Sequence, residues 1–518
     1  MVLWFITENG HSFRVTDEYH PRLYVHGNHM LQYELEQDLC GCDWISGCRS
    51  VDRFVNLSDL RRSKVLEVSI SDYGKIPFFT DTIRKRSRGN LEVYNADIPL
   101  DQYYLYERQI FPLAHMTVSV GFRGLEFDLR DSVESRDYLT PPLREALLRV
   151  EIEHKTLTPE FGDEVSRVSL SIDGEESFFD RGSEAEKLLE LSALVQRQDP
   201  DIILTEKGDS FLMEYLSSRA EANGVKDQFI LGRESLPLSI PMRRGRSYFS
   251  YGKIYYKAPG RRLFGRIHID VKNSFIYPAC GLEGLVEVAR TCKVPLQRAA
   301  RASIGTIMSS AQLCHACDDG VLIPPRKSVP EETKTARGLI VADRGGFIFE
   351  PRIGVFDSVG EVDFSSMYPS LMVKKNISPE TVLCGCCPES ALEVPELGWH
   401  ICDKRIGLIP RVLKLILEKR LDYKRLRNTV QDPVRREVYD RKQHALKWIL
   451  VTCFGYLGYR NARFGKIDSH IAVCAFARDV LLRTAHIAER QGFENLHGIV
   501  DCLWLRKPGV TEEDYLEL

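Results

Sequence analysis

The chain has 518 residues, of which 43% are hydrophobic, 10% aromatic and 28% charged, with a net charge of −3. That length exceeds what one hydrophobic core organises, so about three to four folding units are expected. No apolar run approaches the ~20 residues that span a bilayer, and the start MVLWFITENGHSFRVTDEYH lacks a basic region followed by a long apolar core. A cytoplasmic protein with no membrane partner is the expectation.

Residues 1 to about 135 alternate short β-like runs (LWFIT, RLYVHG, KVLEVSI, MTVSVGF) with turns and suggest a mostly β or mixed domain. Residues 136 to about 325 alternate strand-like VSRVSLSI and PDIILTE with helix-like SEAEKLLELSALVQRQ and SFLMEYLSSRAEANG, the pattern of an α/β unit. The polar, proline-bearing IPPRKSVPEETKTARG reads as a linker. Beyond it, GEVDFSSMYPSLMVKKN reads as strand, turn and helix. Residues 410 to 428 form an amphipathic helix with Pro410 in its first turn. A turn at QDP leads to a second helix over about 433 to 454, antiparallel to the first. A third helix, about 469 to 491, precedes the apolar run LHGIVDCLWL, read as one buried strand with Asp501 in its middle.

The 14 cysteines are scattered or in small groups, unlike a secreted disulfide scaffold. Cys40, Cys42 and Cys48 form one group, Cys314 and Cys317 a second, and Cys384, Cys386 and Cys387, followed by His400 and Cys402, a third. The third is the best candidate for Zn²⁺ or a disulfide, chiefly through Cys384, Cys387 and Cys402. Buried small hydrophobes are the alternative.

The near-neutral total hides an asymmetry. Residues 404 to 466 hold 17 lysines and arginines against five acids. A solvated helical face usually mixes both signs, so the surplus points to phosphates. Two lone carboxylates flank this block in sequence, Asp363 at the end of GEVDF and Asp501. Acids on neighbouring strand ends can hold two divalent ions ~3.5–4 Å apart for in-line phosphoryl displacement. Mg²⁺ suits such a pair, because substrate phosphates complete its shell.

Here the residues reach a known pattern. DFSSMYPSLMVKKNISPETV resembles the first palm motif of family B DNA polymerases, D-F-x-S-L-Y-P-S-I. LEKRLDYK resembles the first fingers motif, KWILVTCFGYLGY the second (K-x-x-x-N-S-x-Y-G), and HGIVDCLW the third palm motif (Y-G-D-T-D-S). GGFIFEP and SIGTIMSSAQL…GVLIPPRK add to the likeness, which covers essentially the whole chain and is most specific over residues 300 to 505.

The resemblance implies a DNA primer-template and a dNTP as partners and two Mg²⁺ as cofactors. It implies Asp363 and Asp501 as catalytic metal ligands, with the Phe364 carbonyl a further one. Tyr368 matches the position that stacks under the sugar and excludes a 2′-hydroxyl. Arg420 and Lys424, four apart on one helical face, and Lys447 match the triphosphate contacts. Two or three cations suit a triphosphate whose charge shifts during transfer.

Departures from the motifs are specific. The usual Tyr, first Asp, Thr and Ser of the third palm motif are His497, Ile499, Val500 and Cys502. The Asn-Ser and Tyr of the second fingers motif are Val451-Thr452 and Phe454. Polar neighbours of a metal site typically contribute ~10–100-fold to affinity or activity. This pattern resembles the divergent, partly degenerate archaeal branch of the family. The proofreading motifs have gone further: D-I-E is EIE, with Glu151 and Glu153, and the acid of the second motif is Leu212, with Asp209 nearby. GLEGLVEVARTCKVPLQRAARASIG has no third motif. A two-metal nuclease needs acids from all three places, so no 3′–5′ exonuclease activity is expected.

The fold expected is a multidomain mixture of α/β and α+β. It comprises a β-rich N-terminal domain (1–135), a degenerate RNase H-like exonuclease-type domain (136–325), palm (326–403), fingers hairpin (404–466) and second palm part (467–518). Family members carry a thumb after the third palm motif, so the thumb is expected either in a longer form of the chain or on a second chain. The function implied is template-directed nucleotidyl transfer without proofreading. The alternative is a DNA-binding scaffold of replication or repair that kept the fold while its chemistry decayed. A nuclease acting through Glu151 and Glu153 is a weaker third reading.

Overall fold

The computed structural model describes residues 1–518 except 40, 122–123, 155, 239–244, 251–252 and 328. Cys40 of the first cysteine group and residue 328 of the linker therefore lie outside the described residues. The chain divides into two compact units, one of Met1–Glu18, Arg108–Ser303 and Thr429–Ala445, the other of Tyr19–Glu107, Ile304–Asn428 and Leu446–Leu518. Among the described residues no helix is long and apolar enough to cross a membrane.

The first unit is built on a five-stranded sheet in the order Glu175–Phe179, Glu164–Ile172, Glu145–Glu153, Ile202–Thr205, Ile267–Asp270. The first three strands are antiparallel, and Ile202–Thr205 runs parallel to both of its neighbours. The Glu184–Gln198 helix starts with a capping box, Ser183 and Glu186 satisfying each other's backbone amides. Its Leu188, Leu191 and Val195, on one face by their three- and four-residue spacing, are fully buried with Leu148, Val168 and Leu216. Each such side chain contributes about 1.5–3 kcal/mol on burial.

The second unit holds two antiparallel four-stranded sheets. One runs Ile45–Arg53, Ser63–Ile70, Arg22–Gly27, Leu91–Tyr94. The helices His29–Leu39 and Ile76–Ser87 contribute to its core through Leu39, Phe79 and Ile83. These helices, and Leu100–Glu107, lie where the sequence suggested only β-like runs and turns.

The other sheet runs Ile348–Phe349, Glu494–Ile499, Cys502–Arg506, Val359–Asp363. Leu503 and Leu505 pack with Leu481, Ala485 and Ala488 of the Ile467–Arg490 helix. The three long helices expected after residue 400 are present as Leu408–Thr429, Pro433–Leu457 and Ile467–Arg490, with Pro433 at a helical first position.

One expectation fails here. The run at 496 to 505 is two strands of a hairpin, not one strand, and Asp501 sits in the turn, half-buried. Val500 takes a left-handed φ of +56°, costly for a β-branched residue. Its amide is held by the Phe347 carbonyl at 2.9 Å. A Cβ added at Gly346 would lie 2.9 Å from a Val500 methyl, so the facing chain leaves room for this turn.

Candidate active site

The hairpin turn brings the two lone acids together. Asp363 ends its strand opposite Cys502, and Asp501 immediately precedes Cys502. The Phe364 amide donates to the Asp501 carbonyl at 2.9 Å, which locks the two strand ends to each other. Burial, and then the Asp363 carboxylate, push the Asp501 pKa up, against a bond from its own amide. Neither carboxylate has an ion-pair partner among the described residues. Two neighbouring acids that no protein cation neutralises are a donor set suited to divalent cations, so the residues present fit Mg²⁺.

The basic side chains approach from the helices. Arg420 is buried, and its guanidinium donates to the Ser366 hydroxyl at 2.6 Å. Its Nε has no hydrogen-bond partner among the described residues. Burial lowers its pKa. Lys424, one turn on, is lowered by burial and then by Arg420, Arg427 and Lys447, while Asp363 acts in the opposite direction. Arg420, Lys424, Lys447 and Asp363 therefore share one local field. Lys447 is exposed on its own helix.

Tyr368, on the Met367–Lys374 helix, lies 4.3 Å centroid to centroid from Phe454, which stacks at 4.1 Å on His470. Burial, followed by Cys474 and Asp501, pushes the Tyr368 phenol up to about 12, so it stays a neutral hydroxyl. The structure thus brings Asp363, Phe364, Tyr368, Arg420, Lys424, Lys447 and Asp501 into one region of the second unit. Ser366 and His470 were missed in the sequence. Nothing in their local pattern marks them, because their partners are 54 and 16 residues away.

Residues 297–507 match the model of DNA polymerase family B. Over these residues the chain is similar to that family. It is 38% identical over 249 residues to DNA polymerase 2 of Saccharolobus solfataricus, an overlap covering 48% of this chain and 36% of the relative. It is 26% identical over 485 residues to a DNA polymerase of Pyrococcus glycovorans, covering 85% and 60% respectively. The chain spans well under two thirds of the length of these curated relatives. Its fold is like that of the family B DNA polymerase of Pyrobaculum calidifontis, with a TM-score of 0.75 and 22% identity over 100% of this chain and 74% of that one.

Against the family B motifs, the replaced polar positions His497, Ile499, Val500 and Cys502 flank Asp501 in its hairpin. His497 stacks on Trp504 at 5.2 Å, and its Nδ1 lies 2.8 Å from the Phe349 carbonyl. Ile499 and Val451 are exposed, and the Cys502 thiol donates to the Ile499 carbonyl at 3.3 Å. The buried Arg478 forks onto Glu396 and donates to the Gly345 carbonyl, next to Gly346, which faces Val500.

Among the described residues, those matching the family B proofreading motifs form no group of three or more side chains that could hold a metal ion. Glu151 and Glu153 are exposed at the end of their strand, and Glu151 lies 3.6 Å from Arg167. Leu212 belongs to the hydrophobic core. Asp209 is 1% exposed. It receives Arg301 through Nε at 2.7 Å and Nη2 at 2.9 Å, the Arg261 amide at 2.7 Å and Asn273 at 2.7 Å. Burial raises its pKa, but the bond and charge of Arg301 outweigh it, and the net shift is down.

The third cysteine group is a cluster of four. Ligand atoms of Cys384, Cys386, Cys387 and Cys402 all lie within 4.8 Å of one another, an arrangement that could hold a metal ion. His400 is not among them: its Nε2 faces the Cys384 carbonyl at 2.8 Å. Cys314 and Cys317 lie on the Ile304–Asp318 helix, outside any such cluster among the described residues.

Proposed function

We propose that the chain is a template-directed DNA polymerase that transfers a nucleotide from a dNTP to a primer 3′-OH with two Mg²⁺ and without proofreading. The observation that carries this reading is the pairing of Asp363 with Asp501, unneutralised by protein cations and within the field of Arg420, Lys424 and Lys447. Asp363, Asp501 and the Phe364 carbonyl would hold the Mg²⁺. When bound, those ions supply charge neutralisation at the transferring phosphoryl group and ease ionisation of the 3′-OH.

The chain's own residues do the rest. Arg420, Lys424 and Lys447 bind the triphosphate, and the Ser366 hydroxyl fixes the direction of Arg420. Tyr368, buttressed by Phe454, lies under the deoxyribose and excludes a 2′-hydroxyl. Saturation of Asp209 by Arg301, Leu212 in the core and the exposure of Glu151 and Glu153 support the absence of 3′–5′ exonuclease activity.

The exposed Ile499 and Val451, at positions that are polar in family B motifs, favour a second reading, a DNA-binding scaffold. Primer extension with Mg²⁺ by the chain and by Asp363→Ala and Asp501→Ala separates the two. The polymerase reading expects extension by the parent chain and none by either variant, with DNA binding retained. The double variant should be no worse than either single one, as for residues acting as a unit. Extension that survives Asp501→Ala sinks the proposed mechanism, and DNA binding without extension by the parent chain supports the scaffold.

A further inference from the structure

We propose that Cys384, Cys386, Cys387 and Cys402 form a structural zinc site that anchors the base of the Leu408–Thr429 helix. The sulfur contacts are 3.1 Å for Cys384–Cys387, 3.5 Å for Cys386–Cys384, 3.6 Å for Cys386–Cys387 and 3.5 Å for Cys386–Cys402. Four thiolates bound tetrahedrally at ~2.3 Å from Zn²⁺ have edges of about 3.8 Å. The four observed contacts are each somewhat shorter than that value, and all the sulfurs lie within 4.8 Å of one another. Each sulfur is near several others, so the geometry singles out no pair for oxidation and instead surrounds one central point.

The surroundings are those of a thiolate site. Backbone amides of Arg405 and Lys404 point at the Cys402 sulfur and that of Asp403 at Cys387. Lys404 adds a positive charge, its Nζ donating to the Cys386 carbonyl at 2.6 Å. Three of the thiols are buried, so ligand exchange with solvent is restricted. His400 acts one layer out, its ring against the Cys384 carbonyl. Such outer contacts orient metal ligands.

Regular secondary structure contributes little to this segment. Between the Met367–Lys374 and Leu408–Thr429 helices, β pairing among the described residues is limited to Glu393–Val394 with Trp399–His400, two residues each, and a single bridge of Val382 to Ile401. So short a hairpin does not hold itself together, and small irregular segments are commonly stapled by a metal. The staple reaches the candidate active site through Asn376. Its Nδ2 donates to the Cys402 and Arg405 carbonyls at 2.8 Å, and its Oδ1 accepts the Gly407 amide at 2.8 Å. Gly407 leads directly into the helix that carries Arg420 and Lys424. On binding, the thiol protons are released to solvent and four Zn–S bonds form.

Elemental analysis of the full chain expressed with added zinc should find one zinc per chain. Cobalt substitution should give the sulfur-to-metal charge-transfer and intense visible bands of a tetrahedral thiolate site. Cys386→Ser and Cys402→Ser should each lose the metal, whereas His400→Ala should keep it. If the serine variants fail to fold, the parent chain decides. Its four thiols should resist a thiol reagent until a strong chelator is added. Zinc-free protein whose mass shows two disulfides, thiols that react equally with and without chelator, or loss of zinc in His400→Ala but not in Cys386→Ser, would overturn the assignment.

Discussion

The Arg420 guanidinium donates to the Ser366 hydroxyl at 2.6 Å, from a serine held in the left-handed region at φ +55°. One hydrogen bond thus joins the helix proposed to bind triphosphate to the turn that follows Asp363. Ser366→Ala is expected to raise the dNTP KM about tenfold, or ~1.4 kcal/mol, with kcat little changed. Arg420→Ala should lose more of kcat/KM. In that background Ser366→Ala should add nothing, since the two residues share one interaction. Steady-state primer extension by the four proteins measures this. Additive losses would separate Ser366 from Arg420.

The raised pKa of Asp501 has a consequence for stability. Its native carboxyl holds a proton more tightly than the unfolded chain does. The resulting contribution to stability is complete below the ordinary value of 3.8 and is lost as pH rises through the elevated one. In chelator, as pH rises above the ordinary value of 3.8, the unfolding midpoint of the parent chain should fall relative to that of Asp501→Asn. Mg²⁺ at the higher pH should restore the parent chain more than the variant. Parallel pH curves for the two proteins would refute the electrostatic coupling to Asp363.

Asp209 has the opposite sign. Its carboxyl is held below the usual range by Arg301, so its contribution is present above the ordinary value of 3.8 and lost as pH falls through the lowered one. Arg301→Leu leaves a buried charge without its chief partner and should cost about 3–5 kcal/mol in chemical denaturation. Adding Asp209→Asn should recover much of that loss. Neither protein should shorten a labelled primer. A nuclease appearing when Arg301 is removed would show that the arginine masks a working metal site.

DNA binding should be non-specific and carried by phosphates, as the 17 basic residues between 404 and 466 suggest. Affinity should fall linearly on logarithmic axes as salt rises, with a slope near −0.9 per phosphate contacted on duplex DNA. Lys424→Ala and Lys447→Ala should each reduce that slope if they reach phosphates. Fluorescence anisotropy on two unrelated duplexes provides the check, and a strong preference for one of them at constant salt would argue against this picture.

Much of this molecule is legible in its residues one segment at a time. Apolar periodicity and Pro410 and Pro433 mark the long helices to within three residues, because each makes its own backbone hydrogen bonds and shows its buried face as a repeat. The acids at 363 and 501 stand out because a lone charge in an apolar run needs a partner, while the cations at 420, 424 and 447 are picked out within their basic block only by resemblance to the family B fingers motifs. The hairpin at Val500 is not legible, since no glycine or asparagine announces it. Only packing of the strand ends against Phe347 and Gly346 makes the left-handed valine tolerable. Nor do the sequence intervals reveal that Arg301 neutralises Asp209 across 92 residues, that Ser366 takes Arg420, or that Cys386 rather than His400 joins the thiol cluster. Such pairings depend on which strand and helix ends the tertiary fold brings within a few ångströms. A buried polar group is satisfied by whatever is near it in space, and sequence distance carries no record of that.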